Sequence, residues 1–449
     1  MKKLLLGIAL LGVLFLSHTV WHWDSSAPTA RWPESSLVVG ENSTIVLQIE
    51  DAGRGLQFVE VTLSTSGNRQ IVSSETFEAS WAWQTGVHQH SLTFSPRTSL
   101  GEDPLPEGDF ILEVVLRDQP NLWLWSNEVS ARRSFTLDLT PPRIQILTDQ
   151  HYIRQGGSEA IVYRVSKDTQ ASGVQVGEKI FQGYPLQDKT QTTYICLFAL
   201  GHDQAPDSNM VVWAEDAAGN RGTGSFWKKT FPVRIRNRNI QLSDSLIDSL
   251  LPEILANQSE VSEQETPLET FLEINGHLRQ INHHQIEEIS SHSMGHLLWN
   301  EAFIQLSRSQ VESLFADHRT YYYQGKPVDQ QTHLGFDLAS VTHGPVESAN
   351  AGIVVFADYL GIYGNAVLVD HGLGLFSLYG HLSGLEVRKS QEVAAGQVLG
   401  RTGETGLAAG DHLHFSMILQ GVQVNPLEWW DPRWVQQHVL DRVSAEWVQ

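Results

Sequence analysis

The sequence predicts a mostly β, multidomain chain. An N-terminal membrane anchor (1–23) leads to two Ig-like β-sandwich domains (24–140 and 141–236), a helical connector (237–320), and a small antiparallel β domain with a terminal helix (321–449). Three observations carry this reading. Short alternating apolar and polar runs, parted by Gly, Pro, Asp and Asn clusters, fill most of the chain, which is the period of half-buried strands. The period changes to helical spacing between Gln241 and Asp317. And 449 residues with 41% hydrophobic content are too many for one ordinary core.

The elements follow in order. Lys2 and Lys3 precede an apolar run from 4 to 16 that continues less strictly to Trp23, the pattern of a signal peptide or a signal anchor. No Ala-x-Ala-like cleavage site follows, and Trp21 and Trp23 sit where an interfacial aromatic belt would lie, which favours an uncleaved anchor. The lysines keep the N-terminus cytoplasmic, so the rest is expected in the periplasm, anchored to the inner membrane. Secretion after cleavage is the alternative.

Strand-like runs at 43–50, 58–64 and 110–117 read as a first sandwich. The Thr140-Pro141-Pro142 breaker opens a second set at 143–147, 160–165 and 210–214. Both sets close with a strand, an Asp, a turn-rich stretch and a final strand, as distant repeats would. Nothing in them is catalytic in character, and they suit spacers or docking modules for protein partners.

The connector shows helical spacing at Leu242, Leu246, Ile247 and Leu250, and again at Leu297, Leu298, Phe303 and Leu306. Ser243 is placed to cap the first helix, Pro252 to kink or end it, and Pro267 to start another. His292 and His296 have the i, i+4 spacing of one helix face, but Ser293 stands where a His-Glu-x-x-His peptidase needs its general base, so solvated or packed histidines are expected here.

Composition removes other classes. The formal net charge of -21 disfavours phosphate-backbone contacts, so no nucleic-acid partner is expected. Cys196 is the only cysteine, which excludes an intramolecular disulfide and a thiolate metal cage. A metal would be held by His and carboxylate alone.

The last domain reads as strands at 352–357, 365–370, 374–379 and 412–419, with a helix from Pro432 onward. Four short segments hold the polar residues a site needs: 332–337, 379–383, 400–406 and 410–415. Residues two or four apart on a strand face one side, so His412 and His414 project together, as do His333 and Asp337. Two neutral imidazoles and one carboxylate leave a tetrahedral Zn²⁺ one open position for a water whose pKa falls toward neutrality. One histidine of the His-x-His pair is then spare, and His381 is a second. Either could take a proton from the water or hydrogen-bond the oxyanion formed on an amide. An isolated His-x-His pair can equally be two half-buried strand residues.

From about 321 to 430 the chain resembles the lysostaphin-like (LytM-type) zinc endopeptidases. The resemblance rests on His333-x-x-x-Asp337, Gly344-Pro345-Val346, Gly364-Asn365, Val369-Asp370-His371-Gly372 and Tyr379-x-His381-Leu382-Ser383. It continues in Gly403-x-Thr405-Gly406, His412-Leu413-His414-Phe415 and Asn425-Pro426. It implies one Zn²⁺ held by His333, Asp337 and His414, a catalytic pair His381 and His412, and a groove across a small antiparallel sheet. It also implies peptidoglycan stem peptides as substrate, with the D-Ala–meso-diaminopimelate bond favoured and glycine bridges open. Two positions depart from the pattern: Ser416, where many relatives carry Glu, and Glu347, where a small apolar residue is common.

Two other readings compete. A non-catalytic peptidoglycan-binding or amidase-activating scaffold on the same fold would be expected to have lost ligands, and here all five positions are intact. A non-haem iron oxygenase would use a His-x-Asp/Glu pair and has no use for two further histidines. The segment 319–325, with three tyrosines, either lies over the groove as an upstream flap or is ordinary sheet.

Overall fold

A computed structural model of the chain describes residues 10, 12, 13, 17, 24–32, 37–78, 86–96, 105–120, 125–186 and 192–444. The anchor expected over 1–23, with Trp21 and Trp23, lies outside the described residues except at four positions. Among the described residues no helix is long and apolar enough to cross a membrane. The chain is mostly β and forms two compact units, residues 1–142 with 215–221 and residues 143–214 with 222–449.

In the first unit a five-stranded sheet runs in the order Val38–Val39, Glu128–Leu137, Gly108–Asp118, Leu56–Ser64, Arg69–Thr76. A three-stranded sheet runs Thr29–Arg31, Ile45–Glu50, Gln89–Phe94. The two share one apolar core. Alternation selects its members: Ile45, Leu47 and Ile49 are buried while Gln48 between them is exposed. Val59, Val61, Leu112 and Val114 meet them from the larger sheet. Truncating any one of these to Ala costs about 2–5 kcal/mol.

The second unit opens with the sheet Tyr184–Pro185, Thr193–Ala199, Ser158–Val165, Ile144–Ile146, and with Lys179–Gln182 and Thr169–Val176 paired in another. Three helical segments follow. In α1 (Asp244–Asn257) the Ser243 side chain accepts from the Leu246 N–H, and Ile247, Leu250, Leu251 and Ile254 form the buried stripe. Pro252 lies inside α1 without ending it. A full capping box between Thr266 and Glu269 starts α2 (Pro267–Glu273), which passes through a π-turn into α3 (Arg279–Ile289).

The second run of helical spacing is not a helix. No regular element lies between Ile289 and Gln310. Trp299, Phe303 and Leu306 enter the core one by one, while the backbone pairs with distant loops: Leu298 N–H with the His371 carbonyl, Phe303 with Trp429, Ile304 with Ala349. Those partners satisfy the groups a helix would otherwise pair, so the spacing reports burial alone. His292 and His296 accordingly share no helix face.

The C-terminal domain is built on β1 (Lys326–His333), β2 (Phe336–Ala339), β3 (Gly352–Tyr359), β4 (Asn365–Asp370), β5 (Leu375–Leu382) and β6 (Leu413–Leu419). Its main sheet is antiparallel, in the order Gln310–Ser313, β2, β6, β5, β4, β3, Glu392–Val393. β1 belongs to a separate sheet with Asp317–Tyr323 and Asn237–Leu242. Both faces of the main sheet are covered, and residue parity divides them. Leu368, Phe376 and Ile418 pack with α1 and α2, whereas Val367, Tyr379, Phe415 and Met417 join a core shared with the second sandwich and Trp429. His412, His414 and Ser416 have the parity of Ile418, on the face the helices cover.

Candidate metal centre

The period of a strand and one tight turn assemble the centre. On β6, His414 lies opposite Asp337 of β2 and Gly380 of β5. His333 ends β1 in the neighbouring sheet, and the turn at Leu334–Gly335 carries the chain across to β2. His333 and Asp337 therefore meet through a turn between two sheets, not as same-face residues of one strand. A Cβ on Gly335 would stand 2.6 Å from the His414 Nε2 and 2.6 Å from the Ser416 Oγ, so only glycine lets this turn approach.

Three donor atoms converge. His333 Nε2 is 2.9 Å from Asp337 Oδ1 and 3.1 Å from His414 Nδ1, and His414 Nδ1 is 3.2 Å from the same carboxylate oxygen. All three residues are buried. The outward nitrogens are engaged. His333 Nδ1–H donates to the Leu314 carbonyl at 3.0 Å, and His414 Nε2–H donates to Ser416 Oγ at 2.9 Å, whose hydroxyl donates to the Leu334 carbonyl at 2.7 Å. Each ring is thus held in the tautomer that turns a lone pair inward. The remaining Asp337 oxygen, Oδ2, accepts from the Arg319 guanidinium at 2.7 Å.

The other two histidines stand beside this group. The His381 and His412 rings are 4.9 Å apart, and His381 is 5.8 Å from the His414 ring. His412 Nε2 is 3.5 Å from Asp337 Oδ1, while its Nδ1–H donates to the Gly410 carbonyl at 2.7 Å. His381 Nδ1–H donates to the Thr405 carbonyl at 2.7 Å, and its backbone is left-handed, φ 63°. The glycines around Thr405 serve this contact: a Cβ on Gly364 would strike the Thr405 backbone at 2.4 Å. All five residues singled out from the sequence are brought together.

Charge follows from this packing. Burial raises the Asp337 carboxyl, but His333, His412 and His414 outweigh it and hold the group well below the usual carboxylate range. Burial pushes the His414 imidazole down to about 4. It also drives His381 well below the ordinary value, helped by the neighbouring His412 and His414. At His412 burial is overcome by the Asp337 carboxylate, and the pKa rises. The inward lone pairs of His333 and His414 with the ionised Asp337 carboxylate are a donor set that suits a divalent metal.

The centre opens into a cavity of about 400 Å³. One wall carries the histidines. The opposite wall is helical and apolar, from Leu246 and Leu250 of α1 and Phe271 of α2, with Arg279 and His283 of α3 as its polar members. Arg319 and Tyr321 come from Asp317–Tyr323, so the tyrosine-rich segment is at once a strand and part of the groove. Ser416 and Arg319 as partners of the ligands, Tyr363 packed 5.2 Å from the His414 ring, and Arg279 have no signal in local spacing.

A His, Asp, His donor group where two sheets meet, with two further histidines facing the same cavity, is an arrangement that could hold a metal ion beside a substrate. The sequence model of Peptidase family M23 matches residues 331–426. The chain is 38% identical over 95 residues to the DD-carboxypeptidase/endopeptidase Mpg of Neisseria meningitidis serogroup B, covering 21% of this chain and 22% of that protein. It is 38% identical over 124 residues to the peptidoglycan DD-endopeptidase ShyA of Vibrio cholerae serotype O1, covering 27% and 28%. The lipoprotein NlpD sequence of Yersinia enterocolitica matches at 36% over 94 residues, 21% of this chain and 96% of that sequence. The chain belongs to peptidase family M23 through its C-terminal domain, and the match spans less than a third of the Neisseria and Vibrio proteins' own length.

Proposed function

We propose that this chain is a zinc-dependent endopeptidase that hydrolyses peptide cross-links of bacterial peptidoglycan, at the D-Ala–meso-diaminopimelate bond, on the periplasmic side of the inner membrane. The observation that carries the reading is the convergence of His333 Nε2 and His414 Nδ1 on Asp337 Oδ1 within 3.2 Å, with both outward ring nitrogens already occupied. That donor chemistry fits Zn²⁺, and the names of the Neisseria and Vibrio relatives support the substrate class. When bound, Zn²⁺ supplies Lewis acidity, polarising a carbonyl and lowering the pKa of a water.

The chain's own residues do the rest. His333, Asp337 and His414 hold the metal. His381, its Nδ1–H given to Thr405, keeps Nε2 as an acceptor and takes the proton of the attacking water. His412 hydrogen-bonds the oxyanion as the carbonyl carbon becomes tetrahedral. Collapse breaks the C–N bond, and the proton held on the histidine pair passes to the leaving amine. The apolar helical wall limits bulk water at the reacting amide.

The test is reconstitution on a defined cross-linked dimer. Metal-stripped protein should regain cleavage with one equivalent of Zn²⁺, and product masses should place the cut between D-Ala and meso-diaminopimelate. Release of glycine-bridge fragments alone would show that the bond is wrong, and absence of metal binding would remove the peptidase reading.

A further inference from the structure

The helical wall of the cavity carries a cation that the mechanism does not use. Arg279 opens α3, where its Nε–H donates to the Asn275 backbone carbonyl at 3.0 Å and its Nη2–H to the Asn275 side-chain oxygen at 2.6 Å. Asn275 is fully buried and is fixed in turn, its side-chain nitrogen donating to Asp329 Oδ2 at 2.7 Å. The guanidinium is therefore held in place by neutral oxygens and not by a direct ion pair. No carboxylate lies within ion-pairing distance of it among the described residues. Three of its five donors remain after the two bonds to Asn275.

Its position makes that charge relevant to substrate. Arg279 lines the same cavity as His333, Asp337 and His414. Its field reaches Tyr363, opposing the burial that raises that hydroxyl, and Tyr363 packs on the His414 ring. The other guanidinium of the cavity, Arg319, is already paired with Asp337. His283, the next polar group on the wall, is pushed down to about 4 by burial and by Arg279 itself, so it adds no positive charge. The acidic groups of the cavity, Glu312, Asp337 and Asp411, come from other segments and none pairs with Arg279. In a chain of net charge -21, a preorganised arginine that lines the cavity and has no ion-pair partner among the described residues is suited to binding an anion.

We infer that Arg279 is a specificity-determining residue that binds a free carboxylate of the substrate, on a side branch or chain end next to the scissile amide. The inference rests on the peptidase reading above and names a feature of its substrate. A cross-linked peptide with that carboxylate is cleaved in preference to the same peptide carrying a carboxamide, because the carboxamide gives up the charge-assisted bonds to the guanidinium.

The experiment compares initial rates of the full zinc-loaded chain on cross-linked muropeptide dimers in free-acid and amidated forms. The wild type should favour the acid on the order of tenfold in kcat/KM. In Arg279→Gln the preference should fall to near unity, the acid rate dropping far more than the amidated rate, while binding of one Zn²⁺ per chain and an unchanged circular dichroism spectrum report that the variant is folded. Arg279→Lys should recover part of the preference. Equal wild-type rates on the two forms, or a preference kept in Arg279→Gln, would overturn the inference and leave the peptidase reading standing. Cleavage of neither form by the wild type would overturn both.

Discussion

Ser416 Oγ lies 2.9 Å from His414 Nε2 and donates its own O–H to the Leu334 carbonyl, so Nδ1 is the nitrogen that His414 turns toward Asp337. One of the two positions that depart from the family pattern is thus the one that orients a ligand. Ser416→Ala should leave the fold intact and weaken Zn²⁺ affinity about 10–100-fold. Competition with a chromophoric chelator measures it, and unchanged affinity would mean that packing alone orients His414.

His412 and His381 are placed beside the metal group but not within it. His412→Ala should keep one Zn²⁺ per chain and lose about 10²–10⁴-fold in kcat. Metal analysis alongside a rate on a cross-linked dimer separates the two effects. Loss of the metal together with the activity would make His412 a ligand and break the division of roles.

Gly335 is required by contact distance. In Gly335→Ala the new methyl meets the His414 imidazole and Ser416, which should cost about 1–3 kcal/mol and weaken metal binding in the same variant. Urea unfolding of metal-free protein gives the first quantity. A variant as stable as the parent would show that the turn can shift freely.

Glu428 links pH to stability. Its Oε2 accepts from the Ser158 N–H at 2.7 Å, and burial, with Glu159 nearby, pushes its pKa up to about 8. The unfolded chain releases this proton near pH 4.3 while the folded chain keeps it until about 8, so the contribution is full below pH 4.3 and is lost as pH rises through about 8. Glu428→Gln should therefore gain on the wild type in melting temperature between pH 5 and 8, the gap widening with pH. Parallel melting curves across that range would show that Glu428 ionises alike in both states.

The histidine pair at the start of β6 is legible because extended chain repeats every two residues, so His412, just before the strand, and His414 within it share a face whatever the rest of the fold does. The glycines at 364, 403 and 406 are legible as turns, but not the Thr405 carbonyl they present to His381. Arg279 is not legible at all, since it reaches the site from a helix whose own spacing says nothing of the groove, and although the 319–325 segment reads as a flap or ordinary sheet, nothing in it pairs Arg319 with Asp337. The helical reading of 297–306 fails for a related reason. Spacing of three and four marks which residues are buried, and a chain can bury them one at a time when distant loops accept its backbone. Ser416 stands out in the sequence as a departure, yet its role depends on the Leu334 carbonyl, which only the turn at Gly335 brings near.

The most direct measurement is muropeptide analysis by mass spectrometry after the protein is incubated with purified sacculi, with and without chelator, beside His412→Ala. The account predicts loss of cross-linked dimers that the chelator abolishes, Zn²⁺ restores and the variant cannot perform. Loss that persists in chelator, or no release from any wall type, would contradict a zinc endopeptidase and favour a scaffold built on the same fold.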